Sequence, residues 1–240
     1  MAGHSHWKSI KHKKAVVDAR RGKQWSKIAR LIIIAAKRGG NPDDNLALRY
    51  AMDKARAANM PNDTIDKAVK KGTGELGADH YEPTLYEGYA TGGVAVLVDA
   101  LTDNRNRTTS EIRVVFDRNG GALGAANSVA WMFSSRGIIA IERSAVTEDQ
   151  LLDLALEAGA TDVVTATEGF TIETDHNDFE KVRKALEAAK IPILSAELTM
   201  VPAQTIEISG QQAEQLQALV DGLEDNDDVQ NVYTNAQISE

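Results

Sequence analysis

The chain has 240 residues, 42% of them hydrophobic, no cysteine and a formal charge of −8. That apolar content is enough for packed cores and argues against global disorder, and the length suits two or three small domains. The absence of cysteine excludes disulfides and thiolate metal sites and fits a reducing cytoplasm.

Residues 1–21 are basic and polar without a convincing period, and read as a flexible arm. From Gly22 the spacing turns helical: Trp25, Ile28, Ala29, Ile32, Ala35 and Ala36 recur at three- and four-residue steps, and Lys23, Lys27, Arg30, Lys37 and Arg38 gather opposite them. Ile34 falls among those cations, and Gly39-Gly40 ends the helix. A second helix is expected over about Asn45–Asn59, with Leu48, Met52 and Ala55 inward. Pro61-Asn62 opens a third, with Ile65, Ala68 and Val69 packed and Lys67, Lys70 and Lys71 outward. These make a helical domain over 22–75.

After a Gly-rich linker the period becomes strand-like in LYEGYA and VAVLVDALTD. Thr108-Thr109-Ser110-Glu111 has the form of a capping box, which predicts a helix starting near Thr109. SVAWMF at 128–133 reads as a further strand. GIIAIE, a helix from Thr147 to Gly159, a hairpin in DVVTATEGFTIETD, a helix in DFEKVRKALEAAK and a strand in ILSAELTMV then run in the order β-α-β-β-α-β of a ferredoxin-like unit. TIEIS, a helix over Gln211–Leu223 and VQNVYTNAQI complete what residue 133 left open. The expected class is therefore multi-domain α and α+β. A helical N-terminal domain precedes two sandwich-like α/β domains, with a ferredoxin-like domain at 137–200 inserted into a discontinuous one at 80–135 plus 203–240.

Enzymatic readings find little support. Without cysteine a nucleophile must be Ser or Thr beside a His, and three of the five His fall in the arm, at His4, His6 and His12. His80 sits in the linker, His176 in a turn, and neither has a nucleophile-elbow frame. GGNPDDN and NGGALG lack the Lys-Ser/Thr ending of a phosphate loop and read as turns. The arm histidines form a poor metal site without an acidic second layer, and EDNDD at 224–228 lacks Ca²⁺-loop spacing and reads as a solvated loop. No cofactor, metal or small-molecule substrate is expected. No secretory signal is expected either, and the longest apolar run, at 31–36, is too short to span a bilayer.

Charge is the positive signal. Residues 1–71 hold 17 Lys/Arg against 6 Asp/Glu, a charge of +11; residues 72–240 hold 10 against 29, a charge of −19. Such segregation points to a polyanionic partner for the basic part. Lys8, Lys11, Lys13, Lys14, Arg20, Arg21 and Lys23 are each able to neutralise a phosphate, and Trp7 among them is able to stack on an unpaired base. The plainer reading is a solubilising tail with Trp7 stapled to the first helix. In DNRNRT at 103–108, Arg105 and Arg107 either face an anionic ligand or pair with Asp99, Asp103 or Glu111 to fix the turn.

AGHSHW, KHKKAVVDARRGK, AAKRGGNP, NMP, LYEGYATGG and LTDNRNRT together resemble the YebC/PmpR family along essentially the whole chain. Its members include bacterial proteins called probable transcriptional regulators and mitochondrial translational activators. The resemblance implies a helical domain and two α/β domains, a cytoplasmic location, no catalytic residues, and a basic contact surface that maps here to the arm and first helix. Two departures stand out: His6 where the family usually has Lys, and LIIIAA where it usually carries an acid. The expected partner is nucleic acid, with promoter DNA as the conventional target. RNA or the ribosome is the rival. A scaffold whose acidic domains dock a basic protein is the alternative from a different class. No helix-turn-helix with a recognition helix and no aromatic RNA-binding signature is found to decide between them.

Overall fold

The computed structural model describes residues 21–77 and 80–239. They fall into two compact units, Trp131–Thr205 and the described residues up to Ala130 together with those from Ile206 onward.

The second of these units begins with three helices, α1 (Arg21–Ala36), α2 (Leu46–Ala57) and α3 (Asn62–Gly72). Ile28, Ile32, Ala35 and Ala36 of α1 are buried against Leu48, Ala55, Ile65 and Ala68, as the apolar spacing dictates. Asn45 joins the first two helices from both sides. Its side-chain oxygen caps α2 by accepting from the Leu48 N–H, and its amide donates to the terminal carbonyls of Ala35 and Gly39, each at 2.8 Å. α3 approaches α1 so closely at Gly72 that a β-carbon there would overlap the Ile33 carbonyl oxygen and the Ala36 side chain.

The same unit continues with β1 (Glu82–Tyr89), β2 (Ala95–Thr102), α4 (Arg105–Arg118) and β3 (Ala122–Leu123). The strands β1 and β2 pair antiparallel from Glu82↔Thr102 to Tyr89↔Ala95. Tyr86, Val96, Val98 and Ala100 line one sheet face, and Ile112 and Phe116 of α4 bury against it.

In the other unit, β4 (Phe133–Glu142), α5 (Glu148–Ala158), β5 (Ala160–Thr165), β6 (Gly169–Asp175), α6 (Phe179–Ala188) and β7 (Ser195–Pro202) follow in the ferredoxin-like order. The sheet is antiparallel, β5-β6-β4-β7, and Gly137 lies where a β-carbon would strike Phe179. The chain then returns through β8 (Ile206–Ile208), α7 (Gly210–Glu224), β9 (Val229–Thr234) and β10 (Ala236–Ile238). β9 adds to β2, giving the order β3-β1-β2-β9, while β8 and β10 pair in parallel. Leu216, Leu219 and Leu223 of α7 share the core of α4. Helical and α/β parts with antiparallel sheets match the expected class.

Two local expectations are corrected. α4 starts at Arg105, four residues before Thr109, because Asn104 accepts from the Arg107 N–H at 3.1 Å and is the true cap. The sequence's capping box lies within the helix, with Thr108 turned inward. Residues 128–132 are not a strand: Ala130–Met132 form a 3-10 turn and β4 begins only at Phe133. The physical reason is Glu87, 5% exposed, whose carboxylate accepts from the N–H groups of Asn127, Val129 and Ala130 at 2.6–2.7 Å. Those donors are then unavailable to a strand ladder.

Candidate nucleic-acid interface

The cations of α1 and of the turn after it lie off the buried stripe, and four of them reach acceptors elsewhere in the fold. Lys23 Nζ donates to the Asp225 carboxylate at 2.8 Å and to its carbonyl oxygen at 3.1 Å. One turn on, Lys27 Nζ donates to the Glu224 carbonyl oxygen at 2.6 Å. Arg30 donates to the Asp227 carbonyl oxygen, pairs with the Asp228 carboxylate at 3.1 Å and lies 5.3 Å from the centroid of the Tyr81 ring. Lys37 donates to the Tyr81 carbonyl oxygen at 3.0 Å. Arg38 is exposed and makes no ion pair with another described residue. Ile34, set among these cations, is half-buried.

The acceptors explain the arrangement. α7 ends at Glu224 with no basic residue in its last turn, so its final carbonyls lack a cation of their own. Lys23 and Lys27 supply it from α1, at the negative end of the α7 dipole. For Lys27 burial prevails over the neighbouring Glu224, Asp227 and Asp225, and its pKa falls below that of an ordinary lysine.

Residues 224–228, expected as a solvated loop, therefore need correction. Asp228 is 3% exposed and is the node of the region. It accepts from Thr108 at 2.6 Å, Thr102 at 3.2 Å and Arg107 at 2.7 Å, in addition to Arg30. Burial alone would raise its pKa, but the hydrogen bonds from Thr108 and Arg107 and the charge of Arg30 outweigh it and hold the carboxyl below its usual range. The hydrogen bonds to Asp228 and Asp103 raise the pKa of Arg107.

Of the two readings of DNRNRT, Arg107 follows the second. It pairs with Asp103 at 2.8 Å and, unforeseen, with Asp228. Asp99 instead accepts from Asn231 at 3.3 Å, and Glu111 from Asn226 at 2.7 Å. Arg105 stays exposed, 3.7 Å from Glu82. Trp7, Lys8, Lys11, Lys13, Lys14 and Arg20 lie outside the described residues, as does the side chain of Arg21. Lys67, Lys70 and Lys71 are exposed on α3, the last of them with a partner. Sequence reasoning missed Asp228 and Glu87, since an acid in a polar run and an acid in an alternating strand carry no local sign of burial. Among the described residues no group of three His, Asp or Glu side chains is placed to hold a metal, and no helix is long and apolar enough to cross a membrane.

Comparison with known proteins places this architecture. The model of the TACO1/YebC protein N-terminal domain matches residues 5–75, and that of the TACO1/YebC second and third domain matches residues 81–236. The chain belongs to the TACO1/YebC family. Among its TACO1/YebC relatives, a protein of Pelotomaculum thermopropionicum named a probable transcriptional regulatory protein is 50% identical over 243 residues, covering 100% of both chains. One of Geobacter sulfurreducens with the same description is 50% identical, covering 100% of this chain and 97% of that one. The crystal structure of a conserved hypothetical protein from Aquifex aeolicus superposes with a TM-score of 0.86 at 46% identity, covering 98% of each chain.

Proposed function

We propose that this TACO1/YebC chain is a non-enzymatic, nucleic-acid-binding regulator of gene expression, working in the cytoplasm. The observation that carries the reading is the charge division, +11 over residues 1–71 against −19 over the remainder, within relatives named as transcriptional regulators. The arm supplies Lys8, Lys11, Lys13, Lys14, Arg20 and Arg21 to phosphates, with Trp7 to stack on a base. Arg38, Arg105 and the α3 lysines add exposed cations in the folded part. Promoter DNA is the conventional target of a transcriptional regulator, the role in the relatives' names.

A second reading, an RNA or ribosomal target in translation, draws on one structural observation. α1 is packed against α2 and α3 on one side and holds the α7 end with the other, so it offers no bare face of the kind a recognition helix lays in a major groove. A basic arm carrying one Trp suits irregular RNA equally well.

Ultraviolet cross-linking in living cells, with attached DNA and RNA sequenced separately, tests both. Discrete promoter fragments are the outcome expected of a transcriptional regulator, and ribosomal or messenger RNA that of a translation factor. Recovery of neither would leave the scaffold as the surviving reading.

A further inference from the structure

The contacts between α1 and the end of α7 are of two kinds. Arg30 and Asp228 are nearly enclosed, with side chains 16% and 4% exposed, and Asp228 has three further donors. Lys23 and Asp225 are 45% and 51% exposed, Lys23 donating to both the carboxylate and the carbonyl, and Asp225 has a further interaction besides. Lys27 holds only a carbonyl oxygen, though its ammonium is partly withdrawn from water. An ammonium in that position gains from any full anion that reaches it.

We infer that the Asp225 carboxylate and the Glu224 carbonyl are an internal substitute for nucleic-acid phosphate: they occupy Lys23 and Lys27 at rest, and a polyanion takes the two lysines from them. The inference rests on the nucleic-acid reading above and adds to it which folded cations take phosphate and what guards them. Lys23 and Lys27, one helical turn apart on α1, each meet an oxygen of the Glu224–Asp225 pair, as they would meet successive phosphate oxygens. Exposed ion pairs are weak enough for a phosphate to replace. The Arg30–Asp228–Arg107 node stays closed and, with the Arg30 bond to the Asp227 carbonyl, keeps α1 in place while the two lysine side chains turn to the phosphates. Self-occupation also discriminates: isolated phosphates compete poorly with a tethered carboxylate, whereas a strand held by the arm arrives at high effective concentration.

The test uses full-length protein and a fluorescein-labelled 20-nucleotide oligouridylate, read by anisotropy at low salt. Asp225→Asn should tighten binding several-fold and leave the melting temperature near that of the parent. Asp117→Asn, which removes an equally exposed acid on α4, controls for net charge and should change affinity far less. Lys23→Met in the Asp225→Asn background should cancel the gain. Equal affinity of the Asp225→Asn and Asp117→Asn proteins, with the parent binding normally, overturns the inference and leaves nucleic-acid binding intact. The same measurement with a fluorescein-labelled 20-base-pair DNA duplex covers a promoter target. Failure of every variant to bind either the oligouridylate or the duplex overturns the nucleic-acid reading and this inference together.

Discussion

Asp228 and Glu87 show how one buried carboxylate organises residues far from it in sequence. Each is a charge removed from water, a state that persists only when donors replace the lost hydration. Asp228 collects them from α4, β2 and α1; Glu87 collects three backbone N–H groups from the following loop. Asp228→Ala strands Arg30 and Arg107 and should cost about 3 kcal/mol in urea unfolding, in line with the loss of one partner of a buried pair. For Glu87 burial pushes the pKa up, but the N–H donors of Val129, Ala130 and Asn127 prevail and hold it low. A depressed folded pKa means stability that is fully present above the unfolded value, near ~4.3, and lost as pH falls through the folded one. Acid titration of stability should therefore be shallower below that value in Glu87→Gln than in the parent. An unchanged acid limb would show that the folded pKa is not held below the unfolded one.

At the scale of elements, periodicity and local chemistry compete. α1–α3 follow their three-and-four spacing because the apolar stripe and the turn residues agree. α4 does not follow its apparent capping box, since Asn104 offers a cap earlier and Thr108 is drawn to Asp228. Asn104→Ala should cost about 1 kcal/mol, the usual value of a lost N-cap, while Ser110→Ala, inside the helix, should cost much less. Chemical denaturation of the two variants checks the order. Gly72→Ala should cost about 2 kcal/mol, as overpacking does where backbone is the obstacle, because the Ile33 carbonyl has nowhere to retreat.

For the whole molecule, the division of charge has two consequences rather than one. Composition alone reads it as attraction to an external polyanion, yet part of the attraction is satisfied inside the fold, where Lys23, Lys27 and Arg30 meet residues 224–228. The arm remains as the largest block of cations not engaged by these described contacts. Deleting residues 1–20 removes five Lys/Arg. At about 0.7 ions released per single-strand contact, the slope of log K against log salt should fall by up to ~3.5. Binding that keeps its slope after the deletion would move the phosphate contacts to the folded surface.

The sequence by itself determined the helical start, the ferredoxin-like run of elements and the family, because each depends on short-range spacing or on motifs that stand intact in the chain. It also determined the charge of each part. Only the tertiary structure decided what those charges touch. Asp228 pairs with Arg30 nearly two hundred positions away, and Glu87 receives N–H groups about forty positions away. Neither distance leaves a periodic trace. Burial and pairing of ions are set by which surfaces the fold closes on one another, and an acid reads the same in a sequence whether water or arginine surrounds it.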